Sequence, residues 1–198
     1  TGGRGGLGLE LASWLCERGR PKLILTGRSG MRDEPVPSPA ATDSSTTGTQ
    51  LARRWLAIEQ LRGGGADVLP MSVDVADRVE MRRLAKRIER QFGRLDGIFH
   101  VAGVAADGML HSLQPEELDR VLRPKIDGLC TLLETTAALR PGFMVLYSSL
   151  AAWAGNVGQA TYASANAFLD AWSMSRETSD LPRVMSLAWG PWSDVGMA

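Results

Sequence analysis

The chain has 198 residues, 22 Lys+Arg against 22 Asp+Glu, 44% hydrophobic residues, 2 Cys and 2 His. That length suits one domain with a real core, and zero net charge with no basic run longer than Arg82-Arg83 excludes non-specific nucleic-acid binding. Cys16 and Cys130 lie in helical patterns without CxxC or a neighbouring His, no run nears the roughly 18 apolar residues of a membrane helix, and the start lacks a signal-peptide pattern. These features predict a soluble, cytoplasmic protein with no disulfide framework, no metal site and no membrane contact.

The chain opens on a glycine-rich turn followed by a helical period over about 7 to 18 and a strand at 22 to 26 (KLILT). Helices are predicted next at about 51 to 62, 77 to 91, 115 to 138 and 159 to 176. Strands fall between them at about 68 to 74, 97 to 101 and 143 to 148, with a last one at 183 to 188. Short apolar strands separated by helices imply parallel pairing, hence an α/β fold: a Rossmann-like, doubly wound parallel sheet with helices on both faces. Residues 30 to 50 carry three Pro, many Ser and Thr and little to bury, and read as a flexible surface insertion. No strand precedes the glycines, although such a loop ordinarily follows a central strand. Residues 1 to 198 therefore read as one partial domain of a longer multidomain chain, its first strand missing.

TGGRGGLG at 1 to 8 places Gly2, Gly6 and Gly8 in the spacing TGxxxGxG ahead of an amphipathic helix. Glycines let backbone approach a pyrophosphate, whose charge the helix N-terminus stabilises; they also serve simply to pack a helix on a sheet. After the next strand stands Thr26-Gly27-Arg28-Ser29, where an NAD site carries an acid. A cation there suits a 2′-phosphate and favours NADPH, the alternative being a solvated arginine. Asp74 closes the following strand, placed either to accept from an adenine amino group or to cap the helix starting near Asp77.

Ser149 ends a strand, and Tyr162 opens a helix that carries Asn166 one turn later. A phenol is a useful acid only with a nearby cation, and a serine hydroxyl can steady the carbonyl oxygen that receives the proton. The common dehydrogenase pattern puts Lys four residues after Tyr, yet position 166 is Asn. Of the three lysines, Lys22 begins a strand and Lys86 lies in a strongly charged helix, whereas Lys125 falls on the apolar stripe Leu118, Val121, Leu122, Ile126, Leu129. A charge on that stripe either has a buried purpose or snorkels from its edge.

TGGRGGLG, TGRSG, SVDVAD, HVAG, RPKIDG, YSS, GQATYASANAFLDA and WGPW, in this order, resemble the ketoreductase domains of type I polyketide synthases, a branch of the short-chain dehydrogenase/reductase superfamily. The resemblance spans the chain except the insertion. Lys125 in PKIDG and Asn166 in YASAN reproduce that branch's exchange of the usual Lys and Asn positions. It implies catalytic roles for Lys125, Ser149, Tyr162 and Asn166, and an NADPH site lined by Gly2, Gly3, Arg4, Gly6, Leu7, Arg28, Ser29, Asp74, Val75, Ala102, Gly103 and Pro191. Trp189 and Trp192 flank Gly190-Pro191 and are expected beside the cleft, while His100 reads as a structural neighbour of the cofactor loop.

The implied reaction is NADPH-dependent reduction of the β-keto group of an acyl chain on an acyl carrier protein, the other synthase domains being partners. Two rivals stay open: a free-standing dehydrogenase of a diffusible alcohol or ketone, and a reduction-silent scaffold or epimerase module. The family's product fingerprints are only partly present. Asp107 before Gly108 keeps one acid, and Trp153 is displaced by one from the position eight before Tyr162, now Ala154. The balance points to the D-hydroxy product.

Overall fold

In the computed structural model the described residues are 1–28, 46–105, 108–176 and 182–193, of which 46–50 are described as backbone only. They form α1 (Gly6–Arg18), β1 (Lys22–Gly27), α2 (Thr46–Gly63), β2 (Asp67–Ser72), α3 (Arg78–Phe92) and β3 (Gly97–His100). The chain continues through α4 (Pro115–Thr136), β4 (Phe143–Ser149), the single turn α5 (Ala151–Ala154), α6 (Ala160–Met174) and β5 (Arg183–Trp189). Strand and helix alternate and the strands pair in parallel, as the apolar pattern predicts. The single turns at Leu110–Ser112 and α5 lie outside the predicted elements. α2 begins at Thr46, so the end of the stretch read as an insertion is helical, and its residues 30 to 45 lie outside the described ones.

Two compact units share the chain, Gly2–Ser72 and Thr1 with Val73–Ala198. In the first, β1 pairs with β2 in the register Lys22↔Asp67 to Gly27↔Ser72, with Pro70 opposite Leu25. Pro70 has no N–H to donate, which suits a strand with an open side. Ala12, Leu25, Ile58 and Val68 form this unit's core, with Leu9, Leu23, Trp55 and Leu61 packed against it.

The second unit carries a three-stranded parallel sheet in the order β3-β4-β5. Thr1 lies along β3, its amine donating to the Phe99 carbonyl and its own carbonyl accepting from the Val101 N–H. Burial of Met81, Leu84 and Ile88 from α3, Leu129 and Leu132 from α4, Met144 and Leu146 from β4 and Leu169 from α6 makes the core. Each helix start has its local reason. Asp77 accepts from the Val79 and Glu80 N–H groups at α3, while α4 opens on Pro115 behind the reciprocal pair Gln114 and Glu117.

Candidate active site

In the first unit the glycine turn runs directly into α1. Gly2 adopts φ 67, a left-handed conformation that glycine reaches without strain. Gly8 has no room for a side chain: a β-carbon there would stand 2.4 Å from Gly3 Cα and 2.5 Å from the Gly2 carbonyl oxygen. Gly3 is tight against Leu25, and the Gly5 N–H closes the turn onto the Gly2 carbonyl at 3.0 Å. α1 therefore presents bare backbone at its start, without an acidic side chain in the first turn. Gly6 is exposed and Leu7 half-buried there, an arrangement that fits the phosphate of a dinucleotide.

Arg4 folds away from that turn, buried at 4% exposure, with Nη1 donating to the Met71 carbonyl at 3.1 Å and its stem alongside Gly27. Its cation thus stands near the C-terminal ends of β1 and β2, where burial, with Arg54 adding, lowers its proton affinity. Arg28 is exposed just beyond β1, its carbonyl accepting from the Ser72 hydroxyl at 3.2 Å. Ser29 lies outside the described residues.

In the second unit, Asp74 follows β2, and of its two expected roles the helix cap falls to Asp77. Asp74 Oδ1 accepts from the Ala76 N–H at 3.0 Å and Oδ2 from Arg123 at 3.3 Å. Val75 is buried against Gly128, where a β-carbon would meet its Cγ1 at 2.9 Å. Ala102 and Gly103 follow β3, and Gly103 brings that loop onto Lys125: a β-carbon at 103 would stand 3.0 Å from Lys125 Cε and 3.3 Å from Nζ. His100, at the end of β3, is fully buried, and burial with the Lys125 charge pushes its imidazole well below the ordinary value. It is a neutral structural group, consistent with the sequence reading.

Lys125 is 3% exposed, so the snorkelling alternative falls. α4 carries it immediately after Pro124, and Nζ donates to the Tyr147 carbonyl at 2.7 Å, two residues before Ser149. Burial pulls the ammonium from 10.5 down to about 8, against an upward pull from the Asp170 carboxylate. Ser149 ends β4, half-buried, its Oγ accepting from the Ala151 N–H at 3.2 Å. Tyr162 lies in the first turn of α6, half-buried, and the Asn166 amide donates to the Tyr162 carbonyl at 2.8 Å. All four residues read as catalytic thus belong to one unit, on α4, β4 and α6. A cation, a hydroxyl and a phenol on these elements can support acid catalysis on a carbonyl.

Trp189 pairs in register with Ser149, and its ring lies 5.5 Å from that of Tyr147 and 5.0 Å from that of Trp192. Pro191 is exposed beside them. The Trp189 Nε1 and Asn166 Oδ1 atoms are buried without a hydrogen-bond partner, which leaves a donor and an acceptor for a bound molecule. Trp153 is 67% exposed on α5, and Asp107 lies outside the described residues. Sequence reading missed Asp170, a buried carboxylate on α6. Its signal was phase: an acid in the apolar AFLDAW run, four residues after Asn166 and eight after Tyr162, falls on their helix face. Among the described residues no cluster of three or more His, Cys, Asp or Glu could hold a metal, and no helix is long and apolar enough to cross a membrane.

Residues 1–194 match the family model described as the KR domain. One protein of the phenolphthiocerol/phthiocerol polyketide synthase of Mycobacterium tuberculosis is 36% identical over 198 residues, all of this chain and 10% of that protein. The spectinabilin polyketide synthase system protein NorB of Streptomyces orinoci is 38% identical, over 99% of this chain and 8% of its own length. The chain thus spans about a tenth of the curated relatives it matches. Among solved structures, a ketoreductase domain from the bacillaene assembly line superposes with a TM-score of 0.84 at 32% identity, over 100% of this chain and 44% of that one. A structure of A-type ketoreductases from a modular polyketide synthase gives 0.83 at 34% identity, over 100% and 38%.

Proposed function

The chain belongs to the ketoreductase domains of polyketide synthases, and from that premise we propose that it uses NADPH to reduce the β-keto group of an acyl chain held on an acyl carrier protein, giving the β-hydroxyacyl group. The observation that carries this reading is Lys125, a buried ammonium seated on the Tyr147 carbonyl two residues from Ser149. Bound in its site, NADPH supplies the hydride. Gly2, Gly3, Arg4, Gly6, Leu7, Arg28, Ser29, Asp74, Val75, Ala102, Gly103 and Pro191 would hold it.

Tyr162 gives its phenolic proton to the substrate carbonyl oxygen as charge develops there, while the Ser149 hydroxyl donates a hydrogen bond to the same oxygen. The Lys125 cation favours the phenolate that remains, and Asn166 orients the start of α6 and the return of a proton to Tyr162. The two free cysteines, Cys16 and Cys130, suit a reducing, cytoplasmic setting. The other domains of the same synthase are the natural partners. The test is NADPH oxidation by the intact protein with carrier-bound and simple-thioester β-ketoacyl substrates, beside diffusible ketones. We expect turnover on the β-ketoacyl thioesters; preference for diffusible ketones would favour a free-standing dehydrogenase, and NADPH binding without reduction a silent module.

A further inference from the structure

Asp170 stands two turns beyond Tyr162 on α6 and is 7% exposed. Both carboxylate oxygens are engaged: the Ser148 hydroxyl donates to Oδ2 at 2.9 Å, and the Ser186 hydroxyl donates to Oδ1. Ser186 pairs in register with Leu146, two residues before Ser148, so both hydroxyls rise from one face of the sheet. Ser148 follows Tyr147, whose carbonyl accepts from Lys125. Lys125 and Asp170 are this unit's buried lysine and buried carboxylate side chains, and among the described residues neither has an ion pair at contact distance. Isolated charges of this kind are costly unless they compensate each other.

We propose that Asp170 is the counter-charge of Lys125, a positioning residue that keeps the ammonium charged and seated on the Tyr147 carbonyl; this rests on reading Lys125 as the cation that serves Tyr162. The other groups around it leave that task to Asp170: the Thr1 amine alongside β3 is a cation or neutral, never an anion, and donates to the Phe99 carbonyl. His100 stays neutral, and the Tyr147 phenol is held protonated by burial. Arg123 of α4 is taken by Asp74, and Arg78 and Arg82 of α3 by Glu134. Arg183 is exposed at the start of β5, α5 carries no titratable side chain, and Tyr162 is the phenol being served. The downward pull of burial on Lys125 is opposed by Asp170, so neutralising the carboxylate should release the proton at lower pH.

The test has two arms on the intact protein. In the first, kcat is followed against pH for wild type and Asp170→Asn. The alkaline limb should move to lower pH, leaving activity better preserved at pH 6 than at pH 8; an equal loss at every pH would overturn the proposal. In the second, thermal melting is compared for Lys125→Met, Asp170→Asn and the double variant. Each single change leaves one buried charge alone, so the double variant should lose less than the two singles combined, and should fold even where a single variant does not. Additive losses, or a double variant that fails to fold, would sink the idea. Melting needs no turnover, so this arm decides the pairing even if the reductase reading fails.

Discussion

The unit 2–72 and the unit around Lys125 are specified in opposite ways. In the first, the glycine turn depends on atoms that are absent: Gly8 admits no β-carbon, and Gly2 holds a conformation that side chains resist. In the second, Lys125, Asn166 and Asp170 are polar groups buried at considerable desolvation cost and tied into hydrogen bonds. Adding a methyl group should therefore damage the first, and removing a charge or hydroxyl the second.

The largest effect belongs to the chemical half. Tyr162→Phe should lower kcat by about 10²–10⁴-fold, the range for a lost general acid, while NADPH affinity and melting temperature stay near wild type, since a half-buried hydroxyl is all that is removed. Lys125→Ala should also cripple turnover, whereas Lys22→Ala and Lys86→Ala, both exposed, should leave it close to normal. Comparable losses from all three lysines would show that the cation was wrongly assigned.

Lys125 also gives activity and stability opposite slopes against pH. Its ammonium titrates at about 8 in the folded chain against an ordinary 10.5. Turnover should fall as pH rises through about 8. Between 8 and 10.5 the unfolded chain binds the proton that folded Lys125 has released, so this residue's contribution to stability rises across that window; below 8 its burial penalty is fully present. Melting curves of wild type minus Lys125→Met should show the rise. A flat difference would mean that the buried amine is not depressed.

In the glycine turn, Gly8→Ala forces a contact of 2.4 Å with backbone that has no flexible end to yield. A stability loss of about 1–3 kcal/mol is expected, as for overpacking elsewhere, together with weaker binding of both NADPH and NADH. Gly19→Ala, with extended backbone and nothing within 4 Å, should stay within about 0.5 kcal/mol of wild type. If the two alanines behave alike, close backbone approach is not what the turn requires.

Much of this was readable in the chain. The strands at 22, 97, 143 and 183 announce themselves by apolar runs, and their observed bounds begin at those residues. The pattern places Tyr162 and Asn166 one turn apart on a helix, but for Lys125 it leaves burial and snorkelling both open, and only the resemblance of PKIDG and YASAN to the family singles these residues out; the burial of Lys125 is what the structure adds. α5 and the Leu110–Ser112 turn were not legible, since a single turn has too few residues to show a period. Asp170 was hidden for another reason. Its partners Ser148 and Ser186 lie 22 and 16 residues away, and serines on strands look alike whether or not a carboxylate waits above them. Arg4 likewise reads locally as one residue of a phosphate turn, though its side chain reaches a carbonyl 67 residues on.

The smallest effect separates the two arginines of the first unit. Arg28 is exposed beyond β1 and can meet a 2′-phosphate only where solvent screens the pair, so Arg28→Ala should weaken NADPH by roughly threefold to fivefold and leave NADH unchanged. Arg4 is buried, donates to the Met71 carbonyl and packs along Gly27. Arg4→Ala removes stem packing as well as charge, and should weaken both cofactors together while lowering the melting temperature. Titrating NADPH and NADH against each variant distinguishes these outcomes. A selective loss at Arg4 with none at Arg28 would move the phosphate contact from the exposed cation to the buried one, and would make the ends of β1 and β2, rather than the residue after β1, the place where the cofactors are told apart.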